Sequence, residues 1–403
     1  MPEFPYSRLR RWPDVEADNL QAHDATDLLL IARAVAAVSE RGLGGTEIAV
    51  IGDEYGAITL ALADAGLHGI RVHQDLATGR RALARNAEQL ELDGFRPHEL
   101  DAALLTGARL VLLQLPKGLA ELEQIADAVA RWAAPDVVLI AGGRVKHMTL
   151  TQNEVLGRSF DRVQAERAER KSRLVIAEEP REVPAAPPYP VTAVHDGMTV
   201  VAHGGAFAGP RIDIGTRVLL EVLDADRSQL LKNSPNPAES GPNPADSGSF
   251  SGVVNAHPAR TVVDLGCGTG VLAVAYARAH PDVRVIATDR SAAAVASARE
   301  TVARNGLADR ITVTHDDAAS DLPDASADVV LLNPPFHLGN SVHTGAATRL
   351  FGAAARVLRP GGELLTVFNS SLAYRPELTR LIGPTEQLQR TSKFTVTRSI
   401  RRR

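Results

Sequence analysis

The 403-residue sequence predicts an α/β protein made of two tandem domains that share one architecture, a parallel sheet flanked by helices. Short apolar runs typical of buried strands alternate with alanine-rich amphipathic stretches, which is the pattern of βαβ units on a parallel sheet. The chain also resembles itself. The stretch IAVIGDEYGAITLALA at 48–63 returns as VVDLGCGTGVLAVAYA at 262–277, which is 214 residues later.

Two further matches extend this internal repeat. The same offset brings Asp75 onto Asp289, and at nearly the same offset RLVLLQLPKG (109–118) matches DVVLLNPPFH (328–337). Agreement at several points under nearly one offset is difficult to obtain by chance, so we interpret the repeat as an ancient duplication. The predicted domains are residues 1–177 and 192–403.

Two low-complexity segments interrupt the repeat. The proline-rich stretch EEPREVPAAPPYPV (178–191) is predicted to be an extended linker between the domains. An insertion at about 228–258 contains NSPNPAESGPNPADSGSFSG (233–252), which has almost no apolar surface to bury. We therefore predict that this insertion in the second domain is disordered.

The composition excludes several classes of protein. Cys267 is the only cysteine, so no intrachain disulfide can form, and the net charge of -4 gives no global basic field. The N-terminus lacks a signal-peptide pattern, and no apolar run approaches the roughly 20 residues that span a bilayer. No Cys/His cluster suggests a metal site. We expect a cytoplasmic protein without a membrane partner.

A glycine-rich turn marks a ligand site in the second domain. In TVVDLGCGTGVLAVA a β-rich run ends in Asp264, and Gly266, Gly268 and Gly270 then allow a sharp turn into a helix. Such a turn lets a ligand approach backbone amides. Asp289, at the end of the next strand, is placed to accept hydrogen bonds from ribose hydroxyls. Up to this point NAD and S-adenosylmethionine fit about equally well.

The stretch DVVLLNPPFHLG (328–339) distinguishes between these cofactors. A buried strand ends at Asn333, and Pro334 and Pro335 stiffen the chain so that the Asn333 side-chain oxygen and the Pro334 carbonyl point outward. Two adjacent acceptors suit the two hydrogens of a planar exocyclic amine. Holding both hydrogens favours the pyramidal form in which the nitrogen can attack a methyl group. Phe336 could stack on the base.

These motifs resemble a known family. DLGCGTG followed by NPPFH resembles class I S-adenosylmethionine-dependent methyltransferases that act on amino nitrogens. RIDIGTRVLL (211–220) resembles the segment before the glycine motif in bacterial ribosomal RNA guanine-N2 methyltransferases of the RsmC/RlmG type, and LQAHDATDLLL looks closest to the large-subunit branch. The resemblance covers nearly the whole chain except 228–258. It implies two tandem Rossmann-like domains from a duplication, the first of them degenerate.

The resemblance also implies roles for individual residues. The turn at Asp264, Gly266, Cys267, Gly268 and Gly270 would hold the methionine part of S-adenosylmethionine, with Cys267 as a packing residue and not a nucleophile. Asp289 would bind the ribose, Asp317 the adenine, and Asn333, Pro334, Pro335 and Phe336 the target base. Asp316 is as plausible as Asp317. His337 could accept the departing proton or be only a solvated neighbour.

The first domain is predicted to be non-catalytic. Under the repeat, Val50 replaces Asp264, Glu54 replaces Gly268, and the sequence Gln-Leu-Pro-Lys at 114–117 replaces Asn-Pro-Pro-Phe. Such a domain could serve as a scaffold or an RNA-docking surface. The basic residues of RVQAERAERKSR (162–173) could contact phosphates, although the interleaved glutamates fit a solvated helix face equally well.

The sequence thus predicts an enzyme that methylates the 2-amino group of a guanine in ribosomal RNA or a ribosomal subunit, with a monomer favoured. One alternative is a protein glutamine N-methyltransferase of the release-factor type. Those enzymes usually have Tyr at the position of Phe336 and lack a duplicated domain. A second alternative is a non-enzymatic RNA-binding assembly protein, against which the intact Asn333 motif argues. The stretch HLGNSVHTG matches neither branch of the family clearly and leaves the target nucleotide open.

Overall fold

The computed structural model describes residues 4–233, 260–335 and 342–403. The chain divides into two compact units, one comprising 1–210, 290–297 and 315–317 and the other 211–289, 298–314 and 318–403. Most of the insertion predicted at 228–258 lies outside the described residues, and a helix that starts at Ile214 continues to Asn233. Within the described ranges, no helix is long and apolar enough to cross a membrane.

The first unit contains a seven-stranded sheet and six α-helices in the part of the chain that the structure describes. Its elements are α1 (Ala25–Arg41), β1 (Ile48–Ile51), α2 (Ala57–Asp64), β2 (Ile70–His73), α3 (Ala77–Leu90), β3 (Phe95–Pro97), α4 (Ala102–Leu105), β4 (Leu110–Gln114), α5 (Leu119–Trp132), β5 (Val138–Arg144), α6 (Leu150–Leu156), β6 (Phe160–Ala165) and β7 (Ser172–Pro180). A hairpin of β8 (Val191–His195) and β9 (Met198–Ala202) follows.

The second seven-stranded sheet is built in the same way. Its elements are α7 (Ile214–Asn233), β10 (Arg260–Leu265), α8 (Val271–Ala279), β11 (Val283–Asp289), α9 (Ala292–Arg304), β12 (Ile311–His315), β13 (Ala327–Leu332), α10 (Val342–Val357), β14 (Leu358–Asn369), α11 (Arg375–Leu381), β15 (Thr385–Arg390) and β16 (Phe394–Ile400).

The strand orders of the two sheets are identical. The first is β3-β2-β1-β4-β5-β7-β6 and the second is β12-β11-β10-β13-β14-β16-β15. In each sheet the central pairs are parallel, and the last two strands form an antiparallel edge. This topology confirms the predicted duplication. It also places a switch in strand order between β1 and β4 and between β10 and β13, where α/β sheets bind ligands.

The apolar runs of the central strands are explained by burial on both faces of the sheet. In β1, Ile48 and Val50 belong to one core cluster, and Ala49 and Ile51 belong to the cluster on the opposite face. Neighbouring β4 alternates in the same way. A parallel strand covered on both faces needs apolar residues at every position, which is why these segments do not alternate with polar ones.

Strand register corrects one match in the repeat. Ile51 pairs with His73, whereas Leu265 pairs with Thr288, so the offset is 214 between β1 and β10 but 215 between β2 and β11. The extra residue follows from helix length, since α8 has nine residues and α2 has eight. The counterpart of Asp289 is therefore Gln74, and the predicted match with Asp75 is wrong by one residue.

Two other expectations about the first unit are refined. The linker predicted at 178–191 begins inside β7, which runs to Pro180, and ends at the first residue of β8. The predicted alternative of a solvated helix face for 162–173 is wrong, because this segment lies in β6, the start of β7 and the turn between them. Several of its charges are paired locally, for example Arg162 with Glu178 and Arg170 with Glu169.

Candidate active site

The glycine turn of the second unit connects β10 to α8 and takes a conformation that favours glycine. Gly266, Gly268 and Gly270 have φ values of +75°, +53° and +80°. A side chain at Gly270 would press on Ala298, whose Cβ would lie 3.2 Å away, whereas a Cβ on Gly266 or Gly268 would meet nothing within 4 Å. A side chain at Gly270 would thus be crowded by Ala298, whereas the other two glycines leave open space beside the turn.

Asp289, the last residue of β11, is hydrogen-bonded to this turn. Its Oδ2 atom accepts a hydrogen bond from the Gly268 backbone N–H at 2.9 Å. The carbonyl of Thr288 accepts from the N–H groups of Gly266 and Cys267, at 2.8 and 3.0 Å. The carboxylate predicted to bind a ribose therefore also orients the turn predicted to hold the methionine part.

Asp264 is a buried carboxylate at the end of β10. Its side chain is 1% exposed, and Oδ2 accepts from the Ala273 N–H in the first turn of α8 at 2.9 Å. The Oδ1 atom has no hydrogen-bond partner among the described residues. Burial raises the pKa of Asp264 to about 7, with a further contribution from the charge of Asp289. The group thus anchors the helix and keeps a second oxygen unpaired.

Cys267 lies in the middle of the turn with its side chain turned inward. It is 8% exposed, and Sγ lies 3.8 Å from the Gly268 carbonyl oxygen. Burial raises the pKa of the Cys267 thiol well above its ordinary value, and the nearby carboxylates of Asp289 and Asp264 raise it further. The thiol is therefore protonated at neutral pH, as expected for a packing residue.

Asn333 leaves the sheet beside the glycine turn. Leu265 pairs with Leu332, so Gly266 and Asn333 are the first residues past two paired strand ends. The Asn333 side-chain Nδ2 donates to Asp213 Oδ2 at 3.1 Å and to Thr216 Oγ1 at 2.8 Å. Its Oδ1 atom has no partner within the described part of the chain. Pro334 is buried and Pro335 is exposed.

Asp213 and Thr216, at the start of α7, were not predicted as site residues. Asp213 Oδ1 accepts from the backbone N–H groups of Gly215 and Thr216, at 2.9 and 3.3 Å, and so caps the helix. The Thr216 hydroxyl donates to Asp213 Oδ2. The segment RIDIGTRVLL carried the family resemblance, but a contact with Asn333 across more than a hundred residues has no local signal in the sequence.

The remaining predicted site residues are two that the structure does not describe and two buried aspartates. Phe336 and His337 lie outside the described residues. Asp316 and Asp317 follow β12 and are 2% and 4% exposed, so burial does not distinguish between them. Across the described ranges, no group of three or more His, Cys, Asp or Glu side chains is arranged to hold a metal ion.

The corresponding turn of the first unit has the same frame with different anchors. Gly52 and Gly56 have φ values of +82° and +91°. Asp53 accepts from the Gly56 N–H at 3.1 Å and from the Thr59 N–H at 2.7 Å. Thr59 corresponds to Ala273, which in the second unit binds Asp264. The buried carboxylate that binds the helix is therefore in the strand in the second unit, at Asp264, and in the turn in the first unit, at Asp53. Val50 occupies the position of Asp264 in the first unit.

The peptide between Asp53 and Glu54 directs its carbonyl, and not its N–H group, to the residue that follows the neighbouring strand. Gln74 Nε2 donates to the Asp53 carbonyl at 2.8 Å, whereas in the second unit the corresponding peptide donates its N–H to Asp289. At the next residue, the Tyr55 hydroxyl donates to Asp14 at 2.9 Å, and the Arg11 guanidinium lies 4.6 Å from the ring centre. The N-terminal segment of the chain therefore covers this turn.

Comparisons with known proteins agree with this description. Residues 3–181 match the family model described as RLMG N-terminal domain, and residues 246–398 match Methyltransferase small domain. The chain is similar to proteins named ribosomal RNA large subunit methyltransferase G. It is 33% identical to that of Streptomyces coelicolor over 408 residues, covering 98% of this chain and 97% of that protein. It is 32% identical to that of Pseudomonas aeruginosa, covering 98% and 99%.

A solved structure resembles the whole chain. It is the T. thermophilus 16S rRNA N2 G1207 methyltransferase RsmC in complex with AdoMet and guanosine, with a TM-score of 0.69 and 22% identity, covering 94% of this chain and 92% of that one. The tandem sheets, the glycine turn and the matched domain define a methyltransferase of the class I type. More specifically, the chain belongs to the ribosomal RNA large subunit methyltransferase G family.

Proposed function

We propose that this enzyme transfers a methyl group from S-adenosylmethionine to the 2-amino group of a guanine in large-subunit ribosomal RNA. The observation that carries the proposal is the Asn333 amide. Its nitrogen is held by Asp213 and Thr216, and its oxygen has no partner among the described residues, at the strand end beside the glycine turn.

The residues at the end of β10 fit S-adenosylmethionine. Gly266 and Gly268 leave open space where other residues would place a side chain, and Asp264 Oδ1 is a buried acceptor with no partner in the described ranges. The turn and Asp264 would hold the methionine part, Asp289 the ribose hydroxyls and Asp317 the adenine. When bound, this cofactor supplies an electrophilic methyl group on a sulfonium. Transfer breaks the carbon–sulfur bond, forms a carbon–nitrogen bond and releases a proton from the amine.

The protein's own contribution is to orient the amine. Asn333 Oδ1 and the Pro334 carbonyl accept its two hydrogens, which favours the pyramidal nitrogen whose lone pair can attack. This interaction is strongest in the transition state and therefore contributes to the rate. A paired guanine would have to leave its stack to reach Asn333. Pro335 and Phe336 complete the proposed contact with the base.

The partner is assigned from family membership and from charge. Relatives that match this chain over nearly its full length are named as methyltransferases of large-subunit ribosomal RNA. The net charge of -4 indicates that RNA contacts are local and not spread over the whole surface. We propose that the enzyme acts as a monomer on ribosomal RNA in the cytoplasm.

Mapping of methylated guanines tests this proposal. Large-subunit ribosomal RNA from cells with and without the gene would be digested and mapped by mass spectrometry. We expect one N2-methylguanine to disappear on deletion and to return with the wild-type gene but not with Asn333→Ala. An unchanged methylguanine map, with normal expression of the protein, would reject the proposed target.

Protein glutamine methylation is the second candidate, since a side-chain amide would use the same two acceptors. Transfer of tritiated methyl groups to total ribosomal RNA and to release factors separates the two substrates. We expect label in the RNA alone. A purely non-enzymatic role in assembly predicts label in neither.

A further inference from the structure

The orientation of the Asn333 amide depends on the first turn of α7. An asparagine amide can be rotated by 180°, which exchanges its oxygen and its NH₂ group. Only one orientation presents an acceptor to the target amine. The groups behind the amide must therefore distinguish oxygen from nitrogen, and this depends on whether they donate or accept.

Both groups behind Asn333 are acceptors toward it. The Asp213 carboxylate has no hydrogen to donate when ionised. The Thr216 hydroxyl donates its one hydrogen to Asp213 Oδ2, so its oxygen can only accept from Asn333. Two acceptors at 3.1 and 2.8 Å fix the NH₂ group toward Asp213 and Thr216 and leave the other position of the amide to Oδ1, a buried atom with no partner among the described residues.

The carboxylate is itself held in place. Asp213 Oδ1 binds two backbone N–H groups of α7, which leaves Oδ2 to face Thr216 and Asn333. Gly215 lies between these groups. A Cβ at this position would lie 3.3 Å from Asn333 Oδ1 and 3.2 Å from the ring of Phe394, so glycine keeps the space beside the oxygen.

We propose that Asp213 and Thr216 are positioning residues that select the catalytically active orientation of the Asn333 amide. The inference rests on the proposed function. It goes beyond that function by assigning part of the rate of methyl transfer to two residues to which the proposed function gives no contact with the cofactor or the base.

The first unit supplies a matched control. Gln114, the last residue of β4, corresponds in position to Asn333, and its Nε2 donates to Asp27 in the first turn of α1. A similar hydrogen bond to the start of a helix thus exists where no chemistry is expected. If such contacts only stabilise the fold, variants in the two units should behave alike.

The decisive variant is Asp213→Asn. The amide oxygen of this variant would be held by the helix N–H groups, so its NH₂ group would face Asn333 and favour the inverted amide. We expect kcat for methylation of protein-free large-subunit ribosomal RNA from deletion cells to fall by roughly 100-fold, as for the loss of one transition-state hydrogen bond. The S-adenosylmethionine Kd and the KM for RNA should change less than about twofold, because the proposal gives Asp213 a role only in orienting Asn333.

A double variant tests whether the loss of activity in Asp213→Asn results from misfolding. In Asp213→Asn combined with Asn333→Asp, the carboxylate at 333 accepts both from residue 213 and from the target amine. In Asn333→Asp alone, two carboxylates would face each other. We expect kcat of the double variant to be at least about tenfold higher than kcat of Asn333→Asp. Thr216→Val removes one of the two acceptors and should cause a smaller loss of kcat than Asp213→Asn.

The controls are Asp27→Asn in the first unit and Glu221→Gln on the exposed part of α7, both expected to keep kcat. The inference is overturned if Asp213→Asn retains wild-type kcat. It is also overturned if the variant loses cofactor affinity and Tm in parallel with activity, or if the double variant regains nothing. Absence of wild-type methylation on both this RNA and large ribosomal subunits from the same cells would instead reject the proposed function.

Discussion

The two glycine turns of this chain have similar backbone conformations but direct opposite peptide groups to the end of the neighbouring strand. Both enter a helix through glycines at positive φ, and in both a buried carboxylate binds the N–H group of the third residue of that helix. In the second unit the turn directs an N–H group to Asp289, whereas in the first it directs a carbonyl to Gln74. The fold therefore requires the positive φ and the carboxylate. We propose that ligand binding requires the additional features found only in the second turn.

The strand ends beside the two turns show the same relation. In both units an amide side chain at the carboxyl end of a central strand donates to the start of the helix that precedes the first strand of the sheet. Gln114 is followed by Leu115 and Pro116, whereas Asn333 is followed by two prolines. Both copies therefore have a hydrogen bond from an amide side chain at this strand end to the start of a helix. Only one copy combines it with the stiff backbone that can present two acceptors.

Replacement of Asn333 should have the largest effect. We expect Asn333→Ala to lower kcat for RNA methylation by roughly 10² to 10³, because one of the two acceptors for the amine is lost, while S-adenosylmethionine affinity stays nearly unchanged. Gln114→Ala is the matched variant and should retain full kcat. Calorimetry and single-turnover kinetics measure both parameters. A comparable loss of cofactor binding in Asn333→Ala would place this residue in the cofactor site.

Replacement of Asp289 should affect the cofactor first. Asp289→Ala removes the acceptor for the Gly268 N–H and the proposed ribose contact, so we expect the S-adenosylmethionine Kd to rise roughly 10- to 100-fold, since hydrogen bonds to charged groups contribute about 1.5–3 kcal/mol each. Gln74→Ala should lower Tm without changing that Kd. Normal cofactor binding by Asp289→Ala would contradict the assignment of the carboxyl end of β11 to the ribose.

The sequence allowed prediction of the features that depend on local pattern. The glycines at positive φ, the buried parallel strands and the delivery of Asn333 to a strand end all follow from residue type and from the topology of doubly wound sheets. Three features could not be predicted. The first is the extra residue in α8, which makes Gln74 and not Asp75 the counterpart of Asp289. The second is the peptide after Asp53, whose carbonyl accepts from Gln74. The third is the contact between Asp213 and Asn333, which are 120 residues apart. Each depends on tertiary packing.

A smaller effect is expected on the pH dependence of stability. Burial raises the folded-state pKa of Asp264 to about 7, above the ordinary value of 3.8. The folded state therefore binds the proton more tightly than the unfolded state, so wild-type stability falls as the pH rises from about 4 through 7. The Tm of Asp264→Asn relative to wild type should increase between pH 5 and pH 8.

Thermal unfolding in matched buffers measures this difference. Asp53→Asn in the first unit should show the same trend, because burial also raises the pKa of Asp53. Only the Asp264 variant should in addition lose affinity for S-adenosylmethionine. A Tm difference for Asp264→Asn that is constant or decreases with pH would show that this carboxylate is not protonated preferentially in the folded protein.

The number of cofactor sites tests most directly whether one copy of the fold has lost ligand binding. Isothermal titration of the full-length chain with S-adenosylmethionine should give one site, and Gly268→Glu, which introduces the residue type found at Glu54, should abolish it. Glu54→Gly should leave the stoichiometry at one, because Gln74 and the N-terminal segment still occupy the contacts of the first turn. Two sites in the wild-type chain, or one site that survives Gly268→Glu, would contradict the assignment of cofactor binding to the second unit alone.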